Sequence, residues 1–214
     1  MLQRVYIWEI PVRLTHWLNF FSILVLCFTG FYIGNPLIHA PSGESFLMTQ
    51  MRFIHFVSAY VFTASCLVRL YWSFAGNEYS RANIFFPFTV KRRRELKECV
   101  KFYLFLRKSP PFAAGHSASA AFSYLIAFIL FLAEILTGFA LYSQTHSGWL
   151  WKIGGGFVFA LLPSPTIRLI HHGVLWLLLV FAIVHVYIAW LNDVVEKQFV
   201  MSSIFSGSKG LDEH

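Results

Sequence analysis

Charged residues and cysteines are both scarce in this sequence of 214 residues. Asp, Glu, Lys and Arg together make up 13% of the chain, whereas a soluble domain has roughly 25%. The three cysteines, Cys27, Cys66 and Cys99, form neither a C-x-x-C pair nor the C-x-x-C-H motif of covalent haem attachment. The composition therefore excludes an ordinary soluble domain and disfavours iron–sulfur clusters and c-type haem.

Apolar residues are abundant instead, at 57% of the chain with 24 phenylalanines. Long apolar segments lie at about residues 17–36, 53–74, 118–143 and 169–192. Each reaches the roughly 20 residues that a transmembrane helix needs. We predict an all-α integral membrane protein, an up-down four-helix bundle that forms one domain over residues 1–214. Glu9 and Arg13 precede the first apolar run without a clear cleavage site, so we expect this span to be uncleaved.

The positive charge is concentrated in one connecting loop. The formal net charge is +7, and nine of the 17 Lys and Arg residues lie between Arg81 and Lys108. Because cytoplasmic loops of membrane proteins carry an excess of Lys and Arg, we expect loop 75–115 and both termini to be cytoplasmic. The charge therefore indicates membrane topology, and no nucleic-acid partner is expected.

Two connecting segments carry apolar residues without being long enough to span. Leu96, Val100 and Leu104 recur every four residues among basic positions, which favours a helix lying on the anionic inner leaflet over an ordinary solvated helix. Residues 153–162 are glycine-rich and apolar. We expect them to form a re-entrant or surface piece.

Histidines within or beside the apolar segments are the candidate functional residues, because ionisable side chains inside spans are rare and usually functional. They are His16, His55, His185 and one of the neighbours His171 and His172. Fourteen residues separate His171 from His185, which returns to within about 40° of the same helix face after a rise of about 21 Å. His172 would point about 140° away from His185. We select His171, with His172 as the alternative.

Depth in the membrane pairs these histidines. His16 and His185 both lie near the inner side, whereas His55 and His171 lie near the outer side. The pattern predicts two haem b groups about 20 Å apart, each with two imidazole ligands. Such ligation suits electron transfer across the membrane. The alternatives are a polar packing network between helices and a haem-free transporter whose histidines relay protons.

Other polar residues accompany the histidines. Arg13, Arg52 and Arg168 each stand three residues before His16, His55 and His171, respectively. This spacing places each pair on one helix face, so the arginines are candidates to bind haem propionates, unless they extend into the lipid headgroups. Glu134 lies in the middle of the third span. Three roles are open for this residue: a neutral buried acid, a proton relay and a partner in an interhelical hydrogen bond.

Several segments carry a family resemblance. They are RLTHWL (residues 13–18), TGF (29–31), RLYWSFAGNEYSR (69–81), TGFALYS (137–143) and the stretch from His171 through Trp176 and Phe181 to Tyr187. Over residues 7–205 the chain resembles the b-type cytochrome subunit of membrane-bound uptake nickel–iron hydrogenases, within the cytochrome b561 and formate dehydrogenase gamma superfamily. The formate dehydrogenase subunit is the poorer match around Gly76 and Asn77.

The resemblance implies a role in the bacterial inner membrane. Such a subunit anchors a periplasmic hydrogenase that consists of a large subunit and an iron–sulfur small subunit. The small subunit passes electrons to the outer haem. The inner haem then reduces menaquinone or ubiquinone. The implied quinone pocket includes Gly115, His116 and Ser117, although serine stands at 117 where asparagine is expected, and a helix-capping Ser117 with a surface His116 is the alternative. Hydrogen oxidation is not expected of this chain, because it lacks the cysteine thiolates that bind nickel–iron and iron–sulfur centres.

Overall fold

The computed structural model describes residues 2–36, 46–81, 90–104, 106, 118–146, 148–196 and 200–212. In chain order these form strand β1 (Leu2–Tyr6), helices α1 (Ile10–Gly34), α2 (Phe46–Ala75), α3 (Val90–Tyr103), α4 (Ala118–Ser143) and α5 (Trp149–Gly154), a 3₁₀ helix (Gly156–Ala160), helices α6 (Ser164–Glu196) and α7 (Val200–Ser206), and strand β2 (Ser208–Asp212).

Four of the described helices are long and apolar enough to cross a membrane, which confirms the predicted membrane helical bundle. They lie in α1, α2, α4 and α6. The α4 bounds match the apolar segment predicted from the sequence. By contrast, α1 begins seven residues before its predicted span, because the helix continues through the polar residues Arg13 and His16. Hydropathy detects only the part of a helix that lies in hydrocarbon.

Contacts between residues divide the chain into two compact units. The first unit comprises Met1–Arg13, Tyr71–Ala133 and Trp176–His214, and the second comprises Leu14–Leu70 and Glu134–Leu175. Each of the four long helices contributes residues to both units.

In the first unit the two ends of the chain pair with each other. Strands β1 and β2 are antiparallel, with Leu2 opposite Asp212 and Tyr6 opposite Ser208. This pairing agrees with the prediction that four spans leave both termini on one side of the membrane. The turn before β2 requires Gly207, which has a φ of 83° and lies so close to Tyr6 that a Cβ would be 2.6 Å from a ring carbon. The sequence did not predict the two strands.

A polar brace joins the N-terminal segment of the first unit to the end of α2. The carboxylate of Glu9 accepts hydrogen bonds from the Trp72 indole N–H and the Asn77 backbone N–H, both at 2.8 Å. The Asn77 side chain donates to the Ile7 carbonyl at 2.9 Å and accepts from the Ser80 hydroxyl at 2.9 Å. Ile7 and Ser80 are fully buried. Asn77, one of the two residues that the resemblance singled out, therefore connects separate segments of this unit.

In the second unit the segment after α4 packs back onto that helix. Val158 of the 3₁₀ helix, Ala140 of α4 and Ile167 of α6 form a buried apolar cluster. Gly155 approaches the α4 backbone so closely that a Cβ would lie 2.3 Å from the Ala140 nitrogen. The glycine-rich stretch predicted to be a re-entrant or surface piece thus contains the end of α5 and the 3₁₀ helix, and neither helix is long enough to span.

The basic loop contains the helix that its apolar spacing predicted. Helix α3 covers Val90–Tyr103, and Leu104 follows its end. Val100 and Leu104 are exposed, and an exposed ion pair links Lys101 to Glu98 at 2.8 Å. Contact of this helix with the lipid surface stays a prediction.

Candidate haem site

Two histidines of the second unit are held in the same way by the helix that each one packs against. His55 of α2 lies against α1, where the Thr29 hydroxyl oxygen is 2.9 Å from its Nδ1. His171 of α6 lies against α4, where the Thr137 hydroxyl oxygen is also 2.9 Å from its Nδ1. We refer to this pair as the His55/His171 site.

The threonine hydrogen bonds match one tautomer of each imidazole. The Thr29 hydroxyl donates its single proton to the Val25 carbonyl at 2.8 Å, and the Thr137 hydroxyl donates to the Glu134 carbonyl at 3.3 Å. These bonds are all satisfied when each hydroxyl oxygen accepts the Nδ1–H of its histidine. The lone pair of both rings is then on Nε2, the nitrogen that would bind a metal.

A glycine beside each threonine makes room for the ring. A Cβ on Gly30 would lie 3.4 Å from Cε1 of His55, and a Cβ on Gly138 would lie 3.3 Å from Cε1 of His171. The distance at Gly138 is shorter than ordinary van der Waals contact between carbon atoms, and the distance at Gly30 is at its lower limit. The Thr-Gly pairs in α1 and α4 thus combine a hydrogen-bond acceptor with a flat surface for an imidazole.

His171 has a carboxylate partner, which His55 lacks among the described residues. The Glu134 carboxylate oxygen Oε2 is 2.6 Å from Nδ1 of His171, so the Nδ1–H is shared between Glu134 and Thr137. The interhelical hydrogen bond that the sequence left open for Glu134 is therefore present.

The His55/His171 site fits a haem group on the chemistry of its donors. The two imidazoles lie close enough to interact electrostatically, and each Nδ1 is anchored while Nε2 carries the lone pair. Histidines that bind metals usually donate their other N–H to a carboxylate, a carbonyl or another acceptor, which fixes ring orientation. His55 and His171 would hold the iron, which would supply a one-electron redox couple.

The neighbouring His172 is placed differently. It is exposed, and its Nδ1 lies 2.8 Å from the Arg168 carbonyl one turn earlier in α6. A Cβ on Gly34, at the end of α1, would lie 3.4 Å from its Nε2. His172 thus lacks the Thr-Gly surface that holds His171, and the selection of His171 as the haem ligand stays a prediction.

The residues predicted for the inner haem belong to different compact units, His16 to the second and His185 to the first. Both are partly buried. His16 makes an edge contact with Trp17, with ring centroids 5.3 Å apart, and His185 stacks on Phe181 at 5.7 Å. Their pairing around one haem stays a prediction.

The three arginines proposed for haem propionates differ in their surroundings. Arg52 and Arg168 are exposed, as a group that reaches a propionate at the membrane surface would be. Arg13 is partly buried, and its guanidinium donates to the Phe205 carbonyl of α7. This hydrogen bond therefore connects Arg13 to the C-terminal segment of the first unit. The propionate roles of all three stay predictions.

The predicted quinone-pocket residues Gly115, His116 and Ser117 lie outside the described residues. His39 and His214, two of the histidines outside the spans, lie outside them as well. The quinone-binding role of Gly115, His116 and Ser117 therefore stays a prediction.

Comparison with known proteins agrees with this fold. The prokaryotic cytochrome b561 family matches residues 7–207. A protein of Rhizobium leguminosarum bv. viciae named "Probable Ni/Fe-hydrogenase B-type cytochrome subunit" is 39% identical over 97% of this chain and 89% of its own length. A protein of the same name from Bradyrhizobium diazoefficiens is 39% identical over 96% and 85%. The "Probable Ni/Fe-hydrogenase 1 B-type cytochrome subunit" of Escherichia coli K12 is 36% identical over 94% and 89%.

Four spanning helices and a pair of anchored imidazoles are the features of a membrane-embedded b-type cytochrome. The match covers nearly the whole chain, and the protein belongs to the prokaryotic cytochrome b561 family. Its cofactor is therefore haem b, its function is electron transport, and it is a multi-pass protein of the bacterial inner membrane.

Gly138→Ala is expected to weaken haem binding about tenfold. The new Cβ would lie 3.3 Å from Cε1 of His171. Displacing the ring costs about 1–3 kcal/mol, and about 1.4 kcal/mol corresponds to a tenfold change in the binding constant. Gly173→Ala, two residues from His171, is the control, because its Cβ would have no neighbour within 4 Å in the described part of the chain. Haem retention during dilution measures the effect, and equal retention by both variants would contradict it.

Proposed function

We propose that this cytochrome b is the di-haem subunit of a membrane-bound Ni/Fe hydrogenase. It would anchor the periplasmic hydrogenase, take electrons from its iron–sulfur small subunit and deliver them to the quinone pool. The observation that supports this most strongly is the His55/His171 site, where two imidazoles from α2 and α6 are oriented by matching Thr-Gly pairs. The partner is proposed from the relatives that are named as cytochrome subunits of Ni/Fe hydrogenases.

The second haem is proposed from the spacing along α6. His185 follows His171 by 14 residues, which is about 21 Å along the helix and nearly the same face. His16 of α1 would complete the inner site. Two imidazoles would hold each iron, so the residues present favour electron transfer over oxygen chemistry.

Charge sets the proposed direction of transfer. If the basic stretch in loop 75–115 is cytoplasmic, the His55/His171 site lies toward the periplasm, where the hydrogenase would dock. The His16/His185 site then lies toward the cytoplasm. Quinone, either menaquinone or ubiquinone, would bind near that inner site, with Gly115, His116 and Ser117 as the candidate pocket.

Purification of the native complex followed by reconstitution in proteoliposomes tests the proposal. We expect two b-type haems per chain, co-purification of the hydrogenase subunits, and hydrogen-dependent quinone reduction with proton uptake from the cytoplasmic side. A folded, purified protein without b-type haem would overturn the proposal. Reduction by formate instead of hydrogen would assign a formate dehydrogenase partner, and proton uptake from the outer side would overturn the proposed direction.

A further inference from the structure

We propose that Glu134 is a positioning residue for His171 that lowers the redox potential of the haem at the His55/His171 site. The inference rests on the proposed function, since it requires a haem bound by these two histidines. It assigns a specific role to the acidic residue in the middle of α4.

The two ligands of this site have different hydrogen-bond partners. The partners of His55 are neutral, since its Nδ1 is paired with the Thr29 hydroxyl at 2.9 Å and its ring also bonds the Leu26 backbone carbonyl. Nδ1 of His171 is paired with the Thr137 hydroxyl at 2.9 Å and also with Oε2 of Glu134 at 2.6 Å. A hydrogen bond to a carboxylate is shorter and about twice as strong as one between neutral groups. The imidazole of His171 is therefore the more strongly polarised of the two.

The surroundings of Glu134 direct its carboxylate at this one contact. Glu134 is the only charged residue in the sequence of α4, and its side chain is 14% exposed. A carboxylate at this depth is costly in hydrocarbon unless it has a partner. Its second oxygen, Oε1, is buried and has no hydrogen-bond partner in the part of the chain that the structure describes. The Nδ1–H of His171 is thus the side-chain donor that accounts for the position of this carboxylate.

The geometry has a consequence for the bound iron. A carboxylate that accepts the Nδ1–H increases electron density on the imidazole and so the basicity of Nε2. A more basic ligand stabilises the ferric form more than the ferrous form, because the ferric iron carries the higher charge. Second-shell hydrogen bonding is one of the means by which a protein sets haem potential. A lower potential at the proposed outer site favours onward transfer to the inner site.

Glu134→Gln tests the inference in the purified complex. Glutamine keeps the shape of the side chain and removes the negative charge. We expect both haems to be retained, and the potential of one haem to rise by at least a tenfold shift in the ferric-to-ferrous ratio, which is about 59 mV for a one-electron couple. The potential of the other haem in the same molecule is the internal control. Glu98→Gln, which removes an equal charge from the exposed surface of α3, should shift neither potential.

The outcomes separate this inference from the proposed function. Absence of b-type haem from the wild-type protein overturns the proposed function, and with it the site. Retention of both haems in Glu134→Gln with unchanged potentials and an unchanged low-spin electron paramagnetic resonance spectrum overturns the role of Glu134 alone. If Glu134→Gln does not assemble, Glu134→Asp replaces it. The shorter side chain keeps the charge but lengthens the contact, and it should raise the same potential by a smaller amount; no rise would overturn the inference.

Discussion

His171→Ala is expected to remove the haem at the His55/His171 site and to lower the haem content per chain by about half. The matched variant His172→Ala is expected to leave the haem content unchanged. The reason is the different placement of two adjacent imidazoles in α6. His171 faces α4, where Thr137 and Glu134 fix its Nδ1, whereas His172 is exposed and lies against the Arg168 carbonyl of its own helix.

Haem quantitation against protein, combined with reduced-minus-oxidised spectra, measures this effect. Loss of haem in His172→Ala with full retention in His171→Ala would contradict the assignment and the helical phase on which it depends. The pair is well matched, because both variants remove one imidazole from the same turn of the same helix. A general loss of stability would lower the haem content of both variants. Only the specific loss of a haem ligand would lower it in one variant and leave it unchanged in the other.

The sequence was sufficient to predict the spans because a spanning helix depends on local composition, whereas the selection of the haem-ligand histidines stays a prediction. Twenty apolar residues identify a spanning helix wherever it packs, and α4 occupies the predicted residues 118–143. The choice of His171 used only the 100° rotation per residue of an α-helix. The inner pairing of His16 with His185 used their similar depth along the spans and stays a prediction.

The groups that orient the imidazoles could not be predicted in the same way, because they come from other helices. Thr29 precedes His55 by 26 residues, and Thr137 precedes His171 by 34. One sequence signal was present, since Thr-Gly-Phe occurs at residues 29–31 and again at 137–139. The recurrence becomes meaningful only when each copy is placed beside a histidine. Glu134 was likewise assigned no role until its partner was located on α6.

The termini were missed for a different reason. Strands β1 and β2 are five residues each and are separated by nearly the whole chain. Isolated strands of this length have little stability, so their pairing depends on the spans that bring the ends together. The Glu9 brace in the same unit also joins residues distant in sequence, as its bonds to Trp72 and Asn77 show.

Gly155→Ala is expected to destabilise the protein by about 1–3 kcal/mol or more, as overpacking of a close contact does. The backbone at Gly155 does not oppose the change, because its φ of −168° is an extended conformation that any residue adopts. The obstacle is α4, since the new Cβ would lie 2.3 Å from the Ala140 nitrogen and 2.6 Å from the Phe139 carbonyl carbon. Backbone atoms of a helix cannot move aside as a flexible side chain can.

The adjacent Gly154→Ala is the matched control. Gly154 ends α5 and is exposed, and a Cβ there would have no neighbour within 4 Å among the described residues. Alanine should be neutral or slightly stabilising at this position. Thermal unfolding of both variants in detergent measures the difference, and equal unfolding temperatures would contradict the steric argument. Since Phe139 and Ala140 directly follow Gly138, a shift of α4 at Gly155 would also disturb the surface that holds His171. Gly155→Ala should therefore lose haem as well as stability, whereas Gly154→Ala should lose neither.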